Sequence, residues 1–271
     1  MTVLLKHVLW IGGASGSGKT TIASRIARRH GLRLYSADTQ TWAHRDRALR
    51  EGHAAALRWE TMTPETRWET ATPAEMLEMS LHRERAAMTV DDLRRLPAAP
   101  LIVAEGTTVA PELVASGFAD RSRAVWLLPT PELLHRRLDE RDLPRGAREL
   151  YLLGASIIER EAREHDVPVL TVDGSRAIDQ VICDLEDRFS AALASGPYAE
   201  SLAERRALLR EANVAIAAQV RAYFARPWAD GHADSVVREF VCECGMPSCD
   251  ASVRRAVGAA WDGPVLATGH A

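Results

Sequence analysis

Lysine is almost missing from this chain: of 34 basic residues only Lys6 and Lys19 are not arginine. With alanine abundant as well, this reads as coding bias rather than function. It has one useful consequence, because a lysine kept at a special position stands out. No apolar run approaches the roughly 18 residues of a membrane span, which argues against a transmembrane helix. No basic region precedes the first apolar run, so the N-terminus does not read as a signal peptide. Four cysteines without an export signal argue against a disulfide framework and leave reduced thiols or metal ligands. A net charge of −3 argues against a protein built chiefly to hold nucleic acid. The expectation is a cytoplasmic protein with no membrane and no nucleic-acid partner. At 271 residues and 46% hydrophobic content, the chain can fill one large core or two smaller ones.

What is present is organised around Gly12 to Thr20, Gly-Gly-Ala-Ser-Gly-Ser-Gly-Lys-Thr. It contains G-x-x-x-x-G-K-S/T, with Gly13, Gly18, Lys19 and Thr20 at the fixed positions. Glycines and small serines let backbone N–H groups converge on a phosphate. Gly13, Ala14, Ser15, Gly16, Ser17, Gly18, Lys19, Thr20 and Thr21 are the expected nucleotide contacts. Lys19 would reach the β- and γ-phosphates, and the Thr20 hydroxyl would ligate Mg²⁺. Val8 to Ile11 reads as a buried strand before the loop, and Thr21 to Ala27 as a helix after it. The helix adds the positive end of its dipole.

Further along, Gly31 to Asp38 reads as a C-cap glycine, a strand and a carboxylate at the strand's end. Ligands of open parallel sheets sit outside the carboxyl ends of strands, so Asp38 is placed to face the loop. It is read as a general base for a substrate hydroxyl or a carboxylate holding Mg²⁺ through water, with a helix N-cap as the alternative. Residues 40–96 carry no strong strand and are too long for an ordinary connection. They read as an inserted substrate-binding region. Thr63-Pro64 and Thr72-Pro73 start helices, and a helical stretch runs from Pro73 to about Leu96. His44, Arg45, Arg47, Arg83 and Arg85 are its polar candidates, with Arg45 and Arg83 put forward beside Asp38 and Glu105 as substrate contacts. Trp42, Trp59 and Trp68 either stack on a flat substrate or pack the core.

Pro100 to Ala104 is the clearest buried strand and ends in Glu105-Gly106-Thr107. Glu105 is expected to hold Mg²⁺ through water or orient the nucleophile; the alternative is a structural carboxylate. Arg123 to Leu128 is the next strand, and Pro129 to Glu132 leads a helix to about Arg141. Arg136, Arg137, Arg141, Arg145 and Arg148 follow closely, and a mobile helix-loop-helix could bring arginines over a triphosphate. Arg137 and Arg141 are chosen. A helix over 148–165 leads to the last strand, Val167 to Val172, and Asp173-Gly174 there could border an adenine ring. Strand and helix alternate throughout, which predicts a parallel sheet with helices on both faces.

These motifs resemble the P-loop kinases of small molecules, nearest to uridine kinase and other nucleoside and nucleotide kinases. The phosphate loop, the apolar strand ending in Glu105-Gly106, and the strand, helix and arginine-rich segment from Ala124 to Asp142 carry the likeness, which covers about Val8 to Ser175. It implies a P-loop NTPase three-layer sandwich with a five-stranded parallel sheet, ATP and Mg²⁺ as cofactors, catalytic roles for Lys19, Asp38 and Glu105, and Arg137 and Arg141 in the lid. The 40–96 region departs from the uridine-binding pattern and leaves the acceptor undefined.

The organisation expected is a kinase domain over 1–194, with an insert at 40–96 and a lid at 132–150. A helical linker over 198–228 and a small module over 235–271 follow. The linker's amphipathic helix, Tyr198 to Phe224, docks within the chain or on a second copy in a homodimer. In the module, Cys242, Cys244 and Cys249 fall within eight residues. Thiolates that close can share one tetrahedral Zn²⁺, with His270 the favoured fourth ligand over His232 and Cys183. A redox thiol site and a metal-free loop are the alternatives. Two functions follow. One is transfer of the γ-phosphoryl group of ATP to a hydroxyl of a nucleoside, sugar-like metabolite or antibiotic. The other is a nucleotide-dependent ATPase or switch whose C-terminal module binds a protein partner.

Overall fold

Every residue of Val8–Gly13 is buried, and this strand, β1, is the middle of a five-stranded parallel sheet. The computed structural model describes residues 3–259, 261 and 263–271. After β1 the chain forms α1 (Lys19–His30), closes it at Gly31 and returns as edge strand β2 (Arg33–Ser36). Helices α2 (Thr41–Arg50), α3 (Ala54–Thr61), α4 (Pro73–Met79) and α5 (His82–Arg95) precede β3 (Ile102–Glu105). Next come α6 (Glu112–Ala115), β4 (Ala124–Pro129), α7 (Pro131–Asp139), α8 (Arg145–Glu164) and β5 (Val169–Val172). Finally α9 (Ile178–Arg188), α10 (Ser190–Ser195) and α11 (Leu202–Phe224) lead to an antiparallel hairpin of β6 (Val237–Val241) and β7 (Ser252–Ala256).

The sheet order is β2-β3-β1-β4-β5, with every neighbouring pair parallel. Parallel strands need crossovers, and these cover both faces with helices. Alternation along β1 divides the core. Val8 and Trp10 pack with Val90 and Leu93 of α5 and Ile158 and Ala162 of α8. Leu9 and Ile11 pack with Ile22 and Ile26 of α1 and Ile182 and Leu185 of α9. The result is a three-layer α/β/α sandwich whose strand C-termini, and so whose site, lie at one edge of the sheet.

Residues 40–96 build their own core from Trp42, Ala48, Trp59, Met76, Met79, Leu81 and Met88. Thr72 makes the expected helix start, in a capping box with Glu75 ahead of Pro73. Thr63-Pro64 starts a short one as well: the Thr66 N–H donates to Thr63 Oγ1 at 3.2 Å, and the helical residues from Pro64 continue as a π turn over Thr66–Thr70. The expected helix over 73–96 is two helices, broken where Leu81 takes a left-handed backbone (φ 59°). The third strand begins at Ile102 rather than Pro100, because the Leu101 N–H donates to Pro197 O, outside the sheet ladder. The helix expected from Tyr198 begins at Leu202, where Ser201 and Glu204 form a capping box.

α11 docks within the chain. Ala199 N–H donates to Gly31 O at 2.8 Å, and Arg33 pairs with Glu211 at 3.0 Å, so the helix lies along the edge strand β2. Covering that edge removes a row of unpaired backbone groups. The hairpin in turn packs Phe240, Val257 and Val265 on Ala217 and Val220 of α11.

Candidate active site

The phosphate loop is shaped by close approach to β4. A Cβ on Gly13, whose φ is 131°, would lie 2.2 Å from Leu127 O, so only glycine fits there. Gly18 is the N-cap of α1 in a left-handed conformation, and no side chain caps the helix. No acidic residue occupies the first turn of α1. Its first N–H groups are therefore free for an anion, with the helix dipole behind them. Lys19 is buried, its Nζ 3.5 Å from Ala14 O and 4.0 Å from Asp38 Oδ2.

Two carboxylates meet the loop from neighbouring strand ends. Glu105, at the tip of β3, is fully buried; Thr20 Oγ1 donates to its Oε2 at 3.0 Å and Ser36 Oγ donates to its Oε1. Asp38 follows β2, is half-exposed, and accepts from Thr107 Oγ1 at 3.1 Å. Burial, and then the charge of Asp38, push the Glu105 carboxyl from its ordinary 4.5 up to about 7, against the opposing pull of Lys19. Folded protein therefore keeps a proton on Glu105 between about pH 4.5 and 7 that the unfolded chain has lost. The stability tied to this group is complete below 4.5 and is lost as the pH rises through 7. We expect thermal melts of nucleotide-free protein to fall by several degrees across that window, on the order of 3 kcal/mol, and Glu105→Gln to flatten the fall. An unchanged pH profile in that variant would contradict the assignment.

Thr20, Ser36, Glu105 and Asp38 together offer hydroxyl and carboxylate oxygens, the hard donors that suit Mg²⁺. Glu105 is also the residue such an ion would charge and hold.

The two arginines after β4 close on the loop: Arg137 Nη1 donates to Gly16 O, and Arg141 Nη1 donates to Ser15 Oγ at 3.1 Å. Loop, Lys19, Asp38, Arg137 and Arg141 share one cavity of about 750 Å³. Its far wall comes from His82, Arg85, Thr108 and Tyr151, among others. Arg85 is buried; it donates to Ala37 O and Thr41 Oγ1 at 2.7 and 2.9 Å, while its Nε has no partner. Among the described residues no carboxylate lies within ion-pair distance of it; Asp38 acts on it only from further off. His82 Nε2 and Thr108 Oγ1 are also buried without partners. Thr108, Tyr151 and His82 were not expected from the sequence.

Two expected substrate contacts are corrected. Arg45 is a core residue: its guanidinium donates to Met79 O at 2.6 Å and lies 4.4 Å from the Trp59 ring centre. Arg83 is exposed on α5 and does not line the cavity. Trp42 and Trp59 belong to the core of the 40–96 region, packed with Arg45, Arg67 and Arg226. Asp173 accepts from the Ser175 N–H and Oγ at 2.9 and 2.7 Å, and Gly174 lies against Leu133 and Arg136 of α7. Neither lines the cavity, although Ile178, just beyond, does.

In the hairpin, Cys242, Cys244, Cys249 and His270 come together, with their ligand atoms all within 4.8 Å of one another. The three cysteines are buried and His270 is exposed. The group could hold a metal ion. Cys183 lies exposed on α9, outside the cluster, as does His232.

No family model matches this chain, and no curated protein matches it. Among solved structures, a sugar kinase from Janibacter sp. HTCC2649 is similar at 21% identity over 70% of this chain and 98% of that one, with a TM-score of 0.39. Shikimate kinase from Aquifex aeolicus is 16% identical over 70% of this chain and 99% of its own, TM-score 0.34. Shikimate kinase from Bacteroides thetaiotaomicron is 14% identical over 68% and 98%, TM-score 0.36. At these identities and TM-scores, nothing about the activity or the acceptor follows from the likenesses.

Proposed function

We propose that this protein is an ATP-dependent kinase that phosphorylates a hydroxyl of a small molecule carrying an anionic group. One observation carries the reading: the phosphate loop, an open carboxylate at Asp38 and a buried guanidinium at Arg85 without a carboxylate partner all face the same cavity. Gly13 to Thr21 hold the phosphates, and Lys19 and the loop N–H groups gather their charge. Arg137 on α7 and Arg141 just beyond its end contact the loop and would meet the negative charge that spreads during transfer. The acceptor hydroxyl lies beside Asp38. Its oxygen bonds to the γ-phosphorus, the bond from that phosphorus to the β–γ bridging oxygen breaks, ADP leaves, and the hydroxyl proton passes to Asp38. Thr20 and Glu105 would hold Mg²⁺, and when bound the ion would neutralise phosphate charge.

Arg85 is what points to an anionic acceptor. A buried cation with only two neutral acceptors is costly unless the ligand brings the missing charge. Replacing Arg85 by methionine is therefore expected to raise the KM for the acceptor by about 10- to 100-fold while the KM for ATP stays near its starting value. Steady-state kinetics in both substrates check this; equal changes in both KM values would remove Arg85 from acceptor recognition. The activity itself is tested by ADP release across hydroxylated compounds offered with and without a carboxylate or phosphate. An acceptor-stimulated rate at least about tenfold above the basal rate is expected. A rate indifferent to every acceptor would instead favour the nucleotide-dependent switch.

The Cys242, Cys244, Cys249 and His270 cluster is read as a zinc site. Tetrahedral zinc with three sulfurs and one nitrogen has ligand-to-ligand edges of about 3.5–3.8 Å, and His270 Nδ1 already lies 3.4 and 3.5 Å from Cys242 Sγ and Cys249 Sγ.

A further inference from the structure

We infer that the metal in the Cys3His cluster latches the helix that follows the phosphate loop, so that zinc occupancy sets how firmly α1 is held. The inference rests on the zinc reading and adds to it a partner within the chain, Arg28. Arg28 is one of the few buried cations of the molecule and forms no ion pair among the described residues. It projects from α1 into the knuckle. Its Nη2 donates to Cys242 O, and its Nη1 lies 3.9 Å from Cys244 Sγ.

The charge balance explains the pairing. Three thiolates and one neutral imidazole around Zn²⁺ leave one net negative charge. A guanidinium against the sulfurs meets that charge in a buried setting, where such an interaction is strong. Without the metal nothing draws Cys242 and Cys244 together, and the carbonyl and the sulfur that Arg28 meets are no longer held as one site. Metal binding and the seating of α1 are thereby linked: whichever is in place favours the other.

Neighbouring contacts give the latch a rigid frame on one side and a short lever on the other. Gly245 follows Cys244 with φ 77°, and a Cβ there would meet Leu202 Cδ1 at 2.6 Å, so the knuckle turn lies directly on α11. Glu243 is buried between Cys242 and Cys244. It accepts from Asn213 Nδ2 at 2.7 Å and from the Val265 N–H at 3.0 Å, and it pairs with Arg210 at 3.3 Å. These contacts seat the knuckle on α11. Arg205 of α11 donates to Arg28 O, holding the C-terminal end of α1. Arg25, one turn before Arg28, lies 3.4 Å from Asp250 Oδ2, next to Cys249. Both knuckle contacts lie on α1, whose first turn carries Lys19 and Thr20 about two and a half turns before Arg28. A shift of α1 moves those residues, since a helix transmits displacement along its axis.

The test separates the latch from both readings on which it could be confused. Zinc per chain in full-length protein is measured by plasma mass spectrometry, before and after stripping with a thiol-blocking reagent and a chelator followed by thiol recovery. Hydrogen exchange is then followed in peptides from residues 19–30, with no nucleotide present. The expected result is one zinc per chain, and exchange in α1 at least about tenfold faster after stripping, reversed by adding Zn²⁺ alone. Arg28→Met should keep its zinc yet exchange as fast as stripped wild type. Fluorescent ATP analogue binding should weaken by a similar factor in both. Protein isolated without zinc, and unable to take it up, would overturn the zinc reading and the latch together. Stoichiometric zinc with α1 exchange unchanged by stripping and by Arg28→Met would overturn the latch alone. Because exchange is read without nucleotide or acceptor, failure of the kinase assignment would leave this outcome intact.

Discussion

Replacing Lys19 by alanine is expected to lower kcat/KM for phosphoryl transfer by about 10²- to 10³-fold, the cost of removing one preorganised donor from a developing charge. The side chain is buried at the mouth of α1, and its ammonium is 4.0 Å from Asp38. It is the one cation supplied by the phosphate loop itself, since the other eight residues of Gly12 to Thr20 are uncharged. Lys19→Arg should not rescue the loss. A planar fork does not substitute for a compact point charge in a cradle closed by Leu127 and Ala14. Nucleotide-free Lys19→Ala protein should still fold, because the Glu105 carboxyl, already pushed upward, can hold its proton more tightly when the Lys19 charge is withdrawn. Circular dichroism and a thermal melt check the fold, and ADP release with a working acceptor checks the rate. Activity within tenfold of wild type would mean that the loop does not hold the transferred phosphate.

The sheet and its site edge were legible because the central strands are short apolar runs, and because a phosphate loop tolerates so little variation. Val8 to Ile11, and Pro100 to Ala104 with Glu105 at its end, could be read in that way. Arginine was the difficulty. With arginine at nearly every basic position, residue type does not separate a buried cation from a solvated one. Arg83 and Arg85 differ by two positions on α5, which turns them to opposite sides of the helix. The phase was available: Arg85 shares a stripe with Thr89 and Leu93, both wholly buried, whereas Arg83 does not. Arg45 was hidden more deeply. Its partners are the faces of Trp42 and Trp59, brought together only by the fold of the 40–96 helices. The far wall of the cavity could not be read either, since His82, Thr108 and Tyr151 come from three separate elements and meet only after the sheet has formed. The cysteine cluster was the opposite case: its spacing picks out the three thiols that come together, and its contact with Arg28 appears only when the hairpin lies on α1.

Asp38→Asn is expected to lower kcat by about 10²- to 10⁴-fold, the usual range for a positioned base, with little change in ATP affinity. The argument turns on the different settings of the two carboxylates. Glu105 is enclosed, holds the hydroxyls of Thr20 and Ser36, and is drawn toward its neutral form until a cation arrives. Such a setting suits the ion-holding role proposed for it. Asp38 is half-exposed to the cavity, its Oδ1 steadied by Thr107 and its Oδ2 facing Lys19, which leaves an oxygen open to a hydroxyl on the acceptor side. The amide in Asp38→Asn keeps the shape and the Thr107 contact through its oxygen but cannot take the proton. Glu105→Gln, in contrast, should raise the Mg²⁺ concentration needed for half-maximal rate before it weakens the proton transfer, so the two variants are separated by titrating Mg²⁺ at saturating acceptor. If Asp38→Asn kept more than a tenth of the wild-type kcat while Glu105→Gln lost the rate at every Mg²⁺ concentration, the roles would be exchanged. The base would then have to act from a residue with no open path to the acceptor, which the enclosure of Glu105 makes chemically unfavourable.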